Sequence, residues 1–204
     1  MNKRLLFSLL LCAFSFGAGA AEVELDKEMI PADRASVLRG AERVVTICGA
    51  CHSLKYIKYR DLIALGITSE TVNRWRGSNP VNAPLAAQTP AEDAAAAFGV
   101  SPPDLSLMAA AREGGVHYVY SYLVGYVAGV NGETTNRIYP MTRMPDILGI
   151  SAATDAQQRA QISTEAREIA AFLNWAADPH AEERKKLGLY VIGYLLFMTV
   201  LLYL

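Results

Sequence analysis

Cys48, Cys51 and His52 stand together in the string ICGACHSLKY, and their spacing defines a chemistry. C-x-x-C-H is the attachment pattern of a covalent haem. Two thiols on one helical turn can add across the two vinyl groups at one porphyrin edge. The residue after them then lies under the ring, where its imidazole can reach iron. Three other chemistries use the same residue types. A Cys48–Cys51 disulfide would suit an exported chain, but it leaves His52 without a role. A thioredoxin-like redox pair wants a preceding strand and a βαβ pattern, whereas the preceding residues are patterned as a helix. A zinc site needs about four ligands, and only His117 and His180 remain to add. The pattern therefore points to one haem c, bonded through Cys48 and Cys51, with His52 on the iron.

A second axial ligand has three candidates. Thioether sulfur is soft, suits haem iron and raises its potential. Met141 and Met144 both lie in the stretch TTNRIYPMTRMPDILG. Met144 precedes Pro145, which biases it to extended backbone and stiffens the loop that must present sulfur. Met141 follows Pro140 and reads as a packing residue. His117 would make the iron bis-histidine and lower its potential.

The elements that carry these residues read as mainly helical. Asp33 and Ser36 are capping candidates after Pro31. Val37, Leu38, Ala41, Val44, Val45 and Cys48 follow a 3.6-residue period, so an N-terminal helix delivers the motif. Prolines at 80, 84 and 90 break the next stretch into loop, with a short helix over Ala91–Ala97. Ser101-Pro102-Pro103-Asp104 reads as a helix start and Leu105–Arg112 as the helix, ended by Gly114-Gly115. Val116–Val127 is predicted as a helix striped with Tyr118, Tyr120, Tyr122 and Tyr126, and Thr164–Ala177 as another. Asp178-Pro179 breaks that helix and can cap the next.

The two ends read as membrane signals. Lys3 and Arg4, an apolar run over Leu5–Phe16 and Ala18-Gly19-Ala20 form the pattern of a bacterial export signal over residues 1–20. Cys12 lies within it. Leu187–Leu204 is eighteen uncharged residues, about 27 Å of helix, enough to cross a hydrocarbon core. Arg184, Lys185 and Lys186 precede it. The expected domains are thus the signal, a periplasmic body over residues 21–186 and an anchor over 187–204. Without Lys3 and Arg4 the net charge falls from −1 to −3, which argues against nucleic acid.

In order, CHSLKYIKYRDL, SPPDLSLMAAAREGG, YVYSYLVGY, the Met-Pro loop and EIAAFLNWAADPHAEERKKLGLYV resemble the cytochrome c1 family, over about residues 39–204. The resemblance implies a class I cytochrome c-like haem domain; with the two end signals, it would be held by one C-terminal transmembrane helix in the bacterial inner membrane, with the haem domain on the periplasmic side. It implies His52 and Met144 as the iron ligands, and Arg112 and Tyr118 beside a haem propionate. By its residues alone, Arg112 reads rather as a solvated helix-end cation near Gly114, and the resemblance tips the balance to the propionate. The resemblance further implies an electron-transfer subunit of the quinol–cytochrome c oxidoreductase (bc1) complex, beside a cytochrome b. Such a subunit takes electrons from a Rieske iron–sulfur protein and passes them to a cytochrome c-type acceptor. The segment between KYRDL and PPDLS is shorter than in many members, and their acidic insertions are not evident. An anchored shuttle cytochrome and a haem enzyme with an open iron are the competing functions.

Overall fold

The computed structural model describes residues 23–129 and 131–204. The expected signal, its cleavage site and Cys12 lie outside them. Eight helices occur in chain order among the described residues. They are α1 (Arg34–Thr46), α2 (Tyr59–Leu65), α3 (Ser69–Arg76), α4 (Ala91–Phe98), α5 (Met108–Ala111), α6 (Val116–Val124), α7 (Ala156–Ala177) and α8 (Ala181–Tyr203). Two small antiparallel pairs accompany them: β1 (Leu54–Lys58) with β2 (Pro84–Leu85), and β3 (Tyr126–Ala128) with β4 (Thr134–Asn136). The mainly helical expectation holds.

The scaffold is the crossing of α1 and α7. Asp33 caps α1, accepting from the Ser36 amide at 2.9 Å and its hydroxyl at 2.8 Å. Val37, Gly40, Ala41 and Val44 recur on one buried face of α1. At the crossing, a Cβ on Gly40 would stand 1.9 Å from the Glu168 carbonyl oxygen and 2.9 Å from the Phe172 Cβ. Only glycine lets the two backbones approach so closely. Glu168 is buried at that point and charged, and it is paired on both sides. Arg39 reaches it at 2.5 Å and Arg43 at 3.2 Å, and Arg43 also meets Glu165 at 3.3 Å. Phe172, fully buried, stacks on Trp175 beneath.

Several boundaries differ from the sequence pattern. α7 begins at Ala156 rather than near Thr164, because Asp155 caps it through the Gln158 amide at 2.8 Å. α6 stops at Val124, and the expected Val127 end belongs to a strand. Gly125 turns the chain there, and Tyr126 pairs with Asn136. Asn136 is fully buried; its Nδ2 donates to the Tyr122 carbonyl at 2.8 Å and its Oδ1 accepts from the Ile138 amide at 2.9 Å. The segment expected as loop after Leu65 holds α3, capped by Thr68.

Beyond α7, Asp178 and Pro179 break the helix as expected. The residue at the α8 N-terminus is His180, while the Asp178 carboxylate takes Arg184. The most apolar eighteen-residue stretch of α8 has a mean hydropathy of 1.7 with none of it buried, so the helix is long and apolar enough to cross a membrane.

Gly40→Ala should destabilise the domain by on the order of 3 kcal/mol, since the new methyl group meets backbone that cannot yield cheaply. Thermal denaturation followed by helical circular dichroism measures it; an unchanged midpoint would refute this packing.

Candidate functional site

α1 ends two residues before Cys48, and Cys48–Ala50 closes into a 3₁₀ turn. The Cys51 and His52 amides both donate to the Cys48 carbonyl, at 3.1 and 2.8 Å. Both thiols are free and half-buried. Burial pushes the Cys48 thiol up to about 11, so it is neutral at ordinary pH. His52 comes next, and its Nδ1 lies 2.7 Å from the Pro103 carbonyl oxygen. A carbonyl only accepts, so Nδ1 carries the proton and Nε2 presents a lone pair. That is the tautomer a metal-ligating histidine needs.

The Pro103 carbonyl is held over His52 by a lattice of hydrogen bonds centred on Asp104. The Asp104 carboxylate accepts from the Ser53 hydroxyl at 2.8 Å, the Lys55 amide at 2.8 Å and the Ser106 amide at 2.9 Å. The Leu105 amide donates to the Ser53 carbonyl at 2.9 Å. The Ser106 hydroxyl accepts from the Tyr56 amide at 3.1 Å. Two segments about fifty positions apart in sequence are thereby laced on either side of the imidazole. Burial alone would raise the Asp104 pKa; the bonds from Ser106, Lys55 and Ser53 outweigh it and hold the carboxyl below its ordinary value. The sequence pattern places Asp104 at a helix start. The helix in fact begins at Met108 and ends at Ala111, because Asp104 bonds across to the Ser53–Lys55 segment.

The two methionines part company. Met141 is 77% exposed, whereas Met144 is half-buried against the same apolar cluster as Cys48. The Met144 carbonyl accepts from the Tyr126 hydroxyl at 2.9 Å, and its amide donates to the Thr142 hydroxyl at 3.1 Å. His117 is part-buried on α6, and its Nδ1 has no partner among the described residues.

Tyr118, Tyr122 and Tyr126 form one continuous aromatic column, with centroids 6.1 and 5.8 Å apart. Tyr120 points elsewhere, 2.8 Å from the Ser163 hydroxyl on α7. Arg112 sits just past α5 with its guanidinium carbon 5.7 Å from the Tyr118 ring centre. The structure thus brings Arg112 and Tyr118 together. Burial raises the Tyr118 pKa, and the Arg112 charge opposes that rise.

Val45, Gly49, His52, Leu54, Trp75 and Leu85 bound a cavity of about 50 Å³ beside the motif. Trp75 comes from α3, which the sequence pattern did not reveal. No cluster of three or more His, Cys, Asp or Glu side chains suited to a bare metal ion occurs among the described residues. Two unbridged thiols, an imidazole with Nε2 free and an apolar wall fit an iron porphyrin.

Residues 25–204 match the sequence profile of the Cytochrome C1 family. The chain is 33% identical over 193 residues to "cytochrome c1, heme protein, mitochondrial" of Saccharomyces cerevisiae, covering 78% of this chain and 61% of that protein. It is 28% identical over 214 residues to "cytochrome c1" of Rhodospirillum rubrum, covering 83% and 79%. A Candida albicans "cytochrome b-c1 complex catalytic subunit, mitochondrial" is 34% identical over 190 residues, covering 77% and 65%. The chain belongs to the cytochrome c1 family.

Asp104→Asn should cost about 1–2 kcal/mol near neutral pH, the loss of charge-assisted acceptors. A carboxyl with a depressed native pKa adds stability above its unfolded value, near 3.9, and loses it as pH falls through the native value. The difference between wild type and variant should therefore shrink below about pH 4. Denaturant titrations across pH measure it; a pH-independent difference would contradict the carboxylate's role.

Proposed function

We propose that this chain is the haem-carrying electron-transfer subunit of a quinol–cytochrome c reductase. Its haem c is bonded through Cys48 and Cys51 and ligated by His52 and Met144. The observation that carries this reading is the His52 imidazole, its Nδ1 turned to Pro103 beside two unbridged thiols. Membership of the cytochrome c1 family supports it independently.

The bound haem supplies a one-electron couple, and no substrate bond is made or broken. The chain's own residues set how readily that electron moves. Pro103 holds the Nδ1 side of His52, which fixes the ring's orientation and leaves Nε2 as the atom that would ligate iron. The Met144 thioether raises the potential. Leu54, Trp75 and Leu85 wall the space beside His52 and would keep water from it with the haem bound. A propionate at the edge of an apolar pocket is costly without a charged, hydrogen-bonding partner. Arg112 supplies the charge, with Tyr118 beneath it. The reading is supported by the two side chains meeting.

The electron donor is a Rieske iron–sulfur protein and the acceptor a cytochrome c-type carrier, with a cytochrome b as the membrane neighbour. Residues 1–20 are the export signal, 21–186 the periplasmic haem domain and 187–204 the single-pass anchor in the inner membrane. The apolar, unburied α8 supports the anchor.

In the oxidised, haem-loaded chain, Met144→Leu should abolish the weak sulfur-to-iron charge-transfer absorption, lower the midpoint potential and let carbon monoxide bind. Met141→Leu should leave that absorption in place. The reverse pattern would move the ligand to Met141. Arg112→Gln should shift the midpoint potential, and a potential identical to wild type would make Arg112 a surface cation. Deleting residues 187–204 should leave a soluble, haem-loaded domain that no longer assembles with its membrane neighbours. Loss of haem from that truncated domain would place the tail within the haem fold.

A further inference from the structure

Residues 139–149 contain neither helix nor strand. A ligand borne on such a stretch is exposed to the opening motions of loops. Pro145 follows Met144 and has no amide with which to anchor the chain. The backbone of Met144 is nonetheless bracketed on both sides. The Tyr126 hydroxyl holds its carbonyl at 2.9 Å. The Thr142 hydroxyl accepts its amide at 3.1 Å, and the Tyr122 hydroxyl is in turn bonded to Thr142. The two tyrosine hydroxyls lie 3.3 Å apart, so the two halves of the bracket touch.

The bracket has a rigid mounting. Tyr126 is 3% exposed and is the first residue of β3, paired with the buried Asn136. Tyr122 is one turn back on α6, and its ring meets Tyr126 edge to face at 5.8 Å. Asn136 also ties the Tyr122 carbonyl to the start of the loop through the Ile138 amide.

We propose that Tyr126 and Tyr122 are positioning residues for the sixth ligand: their hydroxyls fix the backbone of Met144 so that its sulfur stays on the iron. This rests on the assignment of Met144 as that ligand. Neither tyrosine is a ligand in this proposal; each acts through the loop.

The test uses the full, haem-loaded chain. Tyr126→Phe keeps the ring and its packing and removes only the hydroxyl. Its charge-transfer absorption should weaken, and carbon monoxide should bind the reduced form about tenfold faster, as a buried hydrogen bond closing the loop is lost. Tyr122→Phe should act in the same direction and serves if the first variant loads haem poorly. Tyr120→Phe, which loses only its contact with Ser163, should change neither readout. A merely structural role would lower the melting temperature of all three without touching absorption or carbon monoxide binding. Wild-type absorption and binding in both Tyr126→Phe and Tyr122→Phe, while Met144→Leu loses the absorption, would overturn the bracket alone. Absorption retained in Met144→Leu would overturn the ligand assignment and the bracket with it.

Discussion

Where α1 crosses α7, a glycine lies against a carbonyl, and the placement of the haem motif depends on that contact. Gly40 lets the two backbones meet at Glu168, and the buried carboxylate draws in Arg39 and Arg43 from the turns on either side. The last turn of α1 is thereby fixed on α7, and the motif begins two residues later. α6 lies against the same α7, tied by Tyr120 to Ser163. The segment bearing His52 and the helix that leads to the Met144 loop are therefore both referenced to one helix. An apolar contact of equal area would tolerate sliding. A backbone contact with a buried ion pair beside it has a single register.

Around the motif, much of the positioning is done by hydrogen bonds to backbone groups. Pro103 meets His52 through a carbonyl, and Asp104 and Ser106 grip the strand after His52 through amides. In the loop after β4, Tyr126 grips Met144 through a carbonyl. Such contacts depend little on the side chain at the gripped position. They constrain the gripping residues instead, here Asp104, Ser106 and Tyr126.

The sequence is easiest to read where one residue type does one local job. C-x-x-C-H, the Asp33 cap, the Asp178-Pro179 break and the apolar run of α8 each depend on near neighbours, and each appears in the fold where it was expected. The misreadings share a cause. Asp104 comes after two prolines and looks like a cap, yet its partners are Ser53 and Lys55, about fifty positions away. The end of α6 is set by β4, which a helical period cannot anticipate. α3 has a single fully buried residue, Val72, and a polar composition that hides its period. Pro145 distinguishes Met144 from Met141 in the sequence, but the packing of Met144 against the core cluster becomes visible only in three dimensions.

Only Asp178, Pro179 and His180 separate α7 from α8, a stretch of roughly 10 Å when extended. The Asp178–Arg184 pair and the bond from the Ala181 amide to the Asp178 carbonyl stiffen this joint further. With α8 embedded in a bilayer, the haem domain has no leash. Three residues leave the body little length over which to move away from the end of α8. A joint this short holds the body over the end of α8 as a post holds a lamp, with no slack to pay out.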